Sequence, residues 1–377
     1  MPKIVQRNTA LFVAFFLLVC VEAYAASPPS PSYSLTDLGV LPGFRQTLGH
    51  SINALGEVAG SCSTYGSSGT TSQHAFVYRR GKLIDFGALY NPALITSASF
   101  VNSEGDVILT YGVPIPPYYT ADRNYSVLYR NRRFTTLPNG GSLLVNGLND
   151  RGQIAGNFIL SNGGYDDFSA TSAFLIEPNG TLLTLPTFGP LGNLGFIYVQ
   201  GITQGGRVYG TVPTGAYSIY DAVIASAYGP PVNLKTSNDG TGSLVVNNVG
   251  DYVVIALILE PYDLPVLHVG AKTINLGLIP GTENGLEYYT PTGINDCDTV
   301  VGYALHQASN ALTPFVYLHG AMYDPNTLIT PTAPLVHLFQ ALGVNDAGQI
   351  LAVGSTNGEP STDGPPYHTF ILNPCVR

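Results

Sequence analysis

Residues 52–60 read INALGEVAG, residues 148–156 read LNDRGQIAG and residues 344–352 read VNDAGQILA. The shared order is an aliphatic residue, Asn, two variable positions, Gly, a polar residue and another aliphatic. Aligning the chain on this phrase gives seven copies: INALGEV, VNSEGDV, LNDRGQI, ITQGGRV, VNNVGDY, INDCDTV and VNDAGQI. The Asn position falls at 53, 102, 149, 203 (Thr), 247, 295 and 345, a period of about 49 residues. Self-similarity at such a period marks a repeat architecture.

The phrase has a local cause. Asn-x-x-Gly between short apolar stretches suits a type I turn whose first side chain accepts a bond from the backbone two residues on. Gly then takes the left-handed conformation and the chain returns as a hairpin. The departures keep this chemistry: Thr203 still offers an acceptor, and Asp298 belongs to a residue type that tolerates φ > 0.

A second phrase follows each first one, as in HAFVYRRGKLIDFG at 74–87, SVLYRNRRFTTLP at 126–138 and SAFLIEPNGTLLTLP at 172–186. Weaker copies stand at 221–235, 264–277 and 313–326. Each reads as an apolar strand, a tight turn and a second alternating strand. One unit therefore holds four strands, a to d, with tight a–b and c–d turns and a long, variable b–c connection. Four short antiparallel strands per repeat are the pattern of a propeller blade.

The two ends of the chain argue for a ring over a linear stack. The last unit ends at HTFILNPCVR, which supplies a strand c without a d. The folded part begins at 33–39 with YSLTDLG, an unattached strand d resembling KLIDFG at 82–87 and KTINLG at 272–277. Pairing the two ends closes a circle and hides a sheet edge. The expected fold is all-β: a seven-bladed β-propeller of four-stranded blades over 33–377, its ring closed by the N-terminal outer strand. Residues 33–39 are expected to pair near Phe370–Leu372.

Ahead of it, MPKIVQRNTALFVAFFLLVCVEAYA carries Lys3 and Arg7, an apolar run from Ala10 to Val21 and an Ala23-Tyr24-Ala25 cleavage pattern. That is a secretory signal peptide over 1–25, followed by a flexible Pro/Ser leader at 26–32. The run is too short for a comfortable span of about 20 residues, so no transmembrane segment is expected in the mature chain. The reading is export, to the periplasm or the extracellular space.

Charged residues make up only 10% of the chain and the net charge is −9. With few Lys or Arg and no basic cluster in view, nucleic acid is excluded as a partner. Three cysteines remain after cleavage, Cys62, Cys297 and Cys375, which permit one disulfide or none. There is no CxxC and no Cys/His ligand set, so no zinc or other cofactor is expected.

His74-Ala75-Phe76, followed by Gly81 and Asp85-Phe86-Gly87, together with the I-N-x-x-G-x-V phrases, resembles the HAF family of bacterial extracellular repeat proteins. The resemblance covers residues 33–377; the full triplet occurs once, with His368-Thr369-Phe370 the nearest second copy. It implies export and a repeat architecture, and brings no activity with it.

The residues that could carry chemistry are sparse. His74 and His368 share a repeat position, but the equivalent sites hold Ser126, Ser172, Asp221 and Thr313, which does not make a metal ring. Asp150, Asp296 and Asp346 follow the turn Asn in three units, and turn chemistry accounts for them without calcium, which needs several oxygens at alternating positions. No nucleophile elbow, phosphate loop or dinucleotide fingerprint follows a strand.

Tyrosine stands out, with 24 residues and no Trp. Most Tyr suit strands, but PIPPYYTADRNY, GGYDDF, TGAYSIYD and EPYDLP lie in b–c connections and GLEYYT lies before a strand a. In a propeller these connections open on one face and the tight turns on the other. Rings beside carboxylates offer contact area at low entropy cost. The expected ligand site is therefore Tyr118, Tyr119, Tyr165, Asp166, Tyr217, Asp263 and Tyr288, with the tight turns too short to reach a ligand. The reading is a non-catalytic exported module for a glycan or protein ligand. The alternative is a hydrolase or lyase acting on an extracellular polysaccharide or peptide, with loop acids such as Asp166, Asp167 and Asp263.

Overall fold

Each copy of the Asn phrase builds a tight turn. In the first, the Gly56 N–H donates to the Asn53 carbonyl and the Asn53 N–H to the Glu57 carbonyl, both at 3.0 Å. Asn53 Oδ1 accepts from Leu55 N and Glu57 N at 3.0 and 2.9 Å. The fourth position has positive φ in all seven turns: from 74° to 105° at Gly56, Gly105, Gly152, Gly206, Gly250 and Gly348, and 57° at Asp298. The computed structural model describes residues 31–377 apart from 67–68, 113, 116–117, 122–124, 139–142, 160–169, 187–196, 214–219, 235–242, 257–263, 283–285, 307–308, 331–335, 357–366 and 376–377. The expected signal peptide lies outside the described residues. Among the described residues no helix is long and apolar enough to cross a membrane.

Around the turns the chain forms seven four-stranded antiparallel sheets, each ordered a-b-c-d. Blade 1 is Gln46–Ile52, Val58–Gly66, Gly69–Arg79 and Lys82–Asp85. Blade 2 is Ile95–Val101, Val107–Gly112, Tyr125–Arg130 and Arg133–Thr136. Its b–c connection carries a small hairpin of its own, Pro114–Ile115 with Tyr118–Ala121. Blade 3 is Leu143–Leu148, Ile154–Ile159, Ala170–Ile176 and Leu182–Thr184. Blade 4 is Tyr198–Ile202, Val208–Pro213, Tyr220–Ser226 and Gly229–Asn233. Blade 5 is Leu244–Val246, Tyr252–Ala256, Leu264–Val269 and Lys272–Asn275. Blade 6 is Leu286–Ile294, Val300–His306, Ala311–Leu318 and Ala321–Tyr323.

Blade 7 joins the two ends of the chain. Its strands a to c are His337–Val344, Ile350–Ser355 and His368–Pro374, and its d is the N-terminal Tyr33–Asp37. Thr36 lies opposite Ile371 and Asp37 opposite Phe370, the register expected from the sequence. Tyr33 also ties blade 7 to blade 6, donating to the Leu328 carbonyl at 2.9 Å and accepting from Thr330 N at 3.0 Å. The protein is thus a seven-bladed β-propeller whose strands a touch one another in succession round the axis.

Packing within a blade explains the Phe of the HAF triplet. Phe76, Phe174, Phe315 and Phe370 are fully buried on strand c. Opposite them on strand b stand Gly60, Gly156, Gly302 and Ala352. A Cβ at Gly60 would meet the Phe76 ring at 2.7 Å. Blade 2 reverses the sizes, with Leu109 on strand b facing Val127, and blade 5 sets two equal residues against each other, Val254 and Val266. Large against small keeps the volume nearly constant, which a close-packed interior requires.

Strand a carries a bulge that the sequence did not reveal. In six blades the register slips three residues before the turn Asn, leaving His50, Ser99, Asn146, Gln200, Thr292 and Leu342 unpaired. Blade 5 is one residue shorter and pairs straight through. An extra residue sharpens the local twist of the innermost strand.

Candidate functional site

At the turn end of the axis a mouth of about 220 Å³ is lined from all seven blades, by residues that include Asn53, Asn102, Asp150, Gln204, Asn248, Ile294 and Asn345. Its polar groups form a ring and an open chain of bonds between blades. In the first, the turn Asn donates its side-chain N–H to the carbonyl of the next turn residue. Asn53 reaches Asn102 O at 2.9 Å, Asn102 reaches Asn149 O at 3.0 Å and Asn149 reaches Thr203 O at 3.1 Å. Asn247 reaches Asn295 O at 3.2 Å, Asn295 reaches Asn345 O at 3.0 Å and Asn345 closes on Asn53 O at 2.9 Å. Thr203 keeps the acceptor role, taking Arg207 N at 3.2 Å, but its hydroxyl gives nothing to Asn247. The blade 5 turn is altered there, with Gly250 N donating to Asn247 Oδ1 at 2.9 Å in place of the backbone carbonyl.

The open chain uses the residue after the Asn and stops at blade 1, where that residue is Ala54. Asp150 accepts from Ser103 N at 2.7 Å, Gln204 from Asp150 N at 2.7 Å and Asn248 from Gln204 N at 2.9 Å. Asp296 accepts from Asn248 N at 2.8 Å and Asp346 from Asp296 N at 3.0 Å. This corrects the sequence reading of Asp150, Asp296 and Asp346. Asn caps the turn, and the acid reaches across to the preceding blade. It also corrects the expectation that the tight turns have no side-chain reach.

Further out, the polar residue after each Gly braces its own blade or the next. Arg79 donates to Glu57 at 3.0 Å, and Arg130 donates to Asp106 at 2.8 Å and to Gly152 O at 2.9 Å. Gln153 donates to Glu177 at 3.0 Å. The expectation of no basic cluster needs amending. The neighbouring c–d turns of blades 1 and 2 carry Arg79, Arg80, Lys82, Arg130, Arg132 and Arg133. Two of these are paired with acids, Arg79 with Glu57 and Arg130 with Asp106.

His74 and His368 are bonded within their blades, Nδ1 lying 2.9 Å from Asp85 and 2.8 Å from Asp37. Blade 4 inverts the pair, with Asn233 donating to Asp221 at 2.8 Å. The His of the HAF triplet therefore staples strand c to strand d, and at His368 that staple fastens the ring closure. Among the described residues no three His, Cys, Asp or Glu side chains gather as a metal site. Cys62, Cys297 and Cys375 are all free, and burial pushes the Cys62 thiol up to about 12.

Between the two ends of the axis, at the strand-a bulge three residues before Asn53, His50 of blade 1 lies 3.2 Å from Ser97 Oγ on strand a of blade 2. Water reaches the imidazole, yet the surrounding protein holds its pKa down at about 4. The opposite end of the axis is chemically different: among the described residues, three large apolar side chains are exposed there on the first halves of innermost strands, Leu48 of blade 1, Leu144 of blade 3 and Tyr288 of blade 6. Tyr288, one of the expected ligand residues, is 48% exposed. Tyr118 and Tyr119 lie in the blade 2 hairpin, where the backbone alone is described. Tyr165, Asp166, Tyr217 and Asp263 lie outside the described residues, as does Asp167 of the hydrolytic alternative. The structure therefore neither gathers nor separates that set.

No protein-family model matches the chain, and no curated protein matches it. Solved structures do. The β-propeller domain of the Trilobed protease from Pyrococcus furiosus aligns with TM-score 0.53 at 8% identity, over 87% of this chain and 94% of that one. The Pyrococcus horikoshii acylaminoacyl peptidase aligns with TM-score 0.53 at 8% identity, over 89% of this chain and 52% of that one. A virginiamycin B lyase from Staphylococcus aureus gives TM-score 0.49 at 11% identity, over 90% of this chain and 99% of that one. At these identities the likeness is one of fold, and a propeller fold hosts both enzymes and binding modules.

Proposed function

We propose that this protein is an exported, non-catalytic propeller that holds a glycan or protein ligand against the axial end of its loop face. The observation that carries the proposal is the contrast between the two ends of the axis. At the turn end, amides and carboxylates are committed to interblade hydrogen bonds, which is a structural use. At the loop end, Leu48, Leu144 and Tyr288 stand exposed on three different innermost strands. Exposed aromatic and aliphatic groups converging from separate elements suit the centre of a binding surface. The connections that join strand ends on this face also carry Tyr118, Tyr119, Tyr165, Asp166, Tyr217 and Asp263. Export rests on the charged, apolar and small-residue pattern of residues 1–25, and on the resemblance to HAF repeat proteins.

A glycan and peptide array probed with the mature chain tests this reading. Truncating a central anchor to Ala costs about 2 kcal/mol, roughly thirtyfold in affinity. Tyr288→Ala and Leu144→Ala should lose the captured ligand to that degree. Leu55→Ala and Val249→Ala, exposed at the turn end, should keep it. Glu57, Gln153 and Arg207 are poor controls, because they brace the blades. Chemical conversion of the captured ligand would sink the non-catalytic reading.

A further inference from the structure

We infer a second binding site, on the turn side of the seam between blades 2 and 3, for an amphipathic carboxylate such as a fatty acid. A cleft of about 740 Å³ opens there, within the range of small-molecule sites, about 300–1,000 Å³. Its floor is apolar: Leu137, Ile154 and Ile176 belong to the core shared by the two blades, and Leu128 packs against it. One wall is the outer strand of blade 2, with exposed Arg133, Thr135 and Thr136; the other is the c–d turn of blade 3 at Pro178–Gly180.

Three features set the cleft apart from a gap between blades. Arg130 of blade 2 crosses the seam at one end of the cleft, donating to Pro178 O at 3.0 Å and to Gly152 O at 2.9 Å, both on blade 3, which fixes the two blades there. Arg130 lies directly opposite Arg133 in the strand register. Like charges so placed are destabilising; Asp106 neutralises Arg130, whereas Arg133 has no partner among the described residues. The one acid in the lining, Glu177, is held by Gln153 and by the Tyr228 hydroxyl at 2.9 Å. An unneutralised guanidinium beside an apolar floor calls for a ligand with an apolar body and one negative end. A carboxylate fits the planar fork of Arg in two parallel bonds.

The site is remote from the loop face and independent of the function proposed above. Isothermal titration of the full mature chain with dodecanoate, acetate and dodecyltrimethylammonium tests it, with unfolding midpoints confirming that each variant is folded. Saturable one-to-one binding of dodecanoate alone is expected. Arg133→Glu should weaken it at least tenfold, and Arg133→Gln severalfold if the charge reversal proves unstable. Thr135→Trp should abolish it by filling the cleft. Arg132→Glu, next to Arg133 but outside the lining, should change it less than threefold. Absence of saturable dodecanoate binding would overturn the inference. So would equal binding of the cationic detergent, or an affinity unmoved by both Arg133→Glu and Thr135→Trp.

Discussion

Replacing Thr203 by Asn should stabilise the propeller, because it supplies the one donor missing from the interblade amide ring. Six turn residues already donate to the next turn carbonyl at 2.9 to 3.2 Å. Asn247 O receives neither the side-chain bond nor the Gly N–H bond that its counterpart Asn149 O receives. An added intramolecular hydrogen bond is worth about 0.5–1.5 kcal/mol net. The reverse change, Asn149→Thr, removes a donor from the buried Thr203 carbonyl and from Gln153, and should cost about 1–3 kcal/mol. Heat is the wrong probe for so small a difference. Roughly 2 cal/mol/K per residue over about 345 residues makes 1 kcal/mol worth only about 1.4 °C. Urea midpoints at a shared m-value resolve it. An Asn149→Thr change costing less than about 0.3 kcal/mol, or a destabilising Thr203→Asn, would show that the ring does not hold the blades together.

Deleting residues 33–39 should remove the closing strand together with the buried Tyr33 and Leu38 and uncover the side chains they pack against, each buried apolar side chain contributing about 1.5–3 kcal/mol. Deleting 26–32 should change the unfolding midpoint far less, and equal effects would refute circular closure. Gly152→Val and Gly348→Val should each cost about 1–3 kcal/mol from positive φ. Gly152→Val should cost more, because the Arg130 guanidinium occupies the space a Cβ needs, whereas Gly348 has room. Gly60→Ala should destabilise by about 1–3 kcal/mol, because a Cβ there would meet the Leu48 carbonyl oxygen as well as the Phe76 ring, and a smaller residue at 76 should recover only the ring's share in a double-mutant cycle. Because His50 titrates near 4 in the folded state against about 6.5 unfolded, the unfolded chain binds the extra proton between those values. Stability should therefore fall as pH drops from 6.5 towards 4, and His50→Gln should flatten that slope in pH-dependent urea unfolding.

The architecture could be read from the sequence because its determinants are local. Asn-x-x-Gly dictates its own turn, and the spare strand at 33–39 matches the missing one after 368–374. What could not be read are contacts between repeats. Asn53 meets Asn102 only once two blades stand side by side, and nothing near Asp150 says that its oxygen serves Ser103. The same holds for Gly60 and Phe76, whose complementarity appears only in the strand register. The bulges at His50, Asn146 and Gln200 leave no local mark, since one extra residue hides in any alternating strand. The ligand residues are least legible of all. Tyr and Asp in variable connections indicate a suitable composition, but their convergence depends on loop paths that no periodicity encodes.

The functional account turns on which end of the axis meets the ligand. Amide hydrogen exchange of residues 26–377, with and without a ligand captured on the array, measures this directly. Slowed exchange should map to the first halves of strands 143–148 and 286–294 and to the connections entering them. The turns at 53–57, 149–153 and 345–349, already tied by the amide ring, should not change. Protection confined to those turns would place the ligand at the opposite mouth and contradict the account.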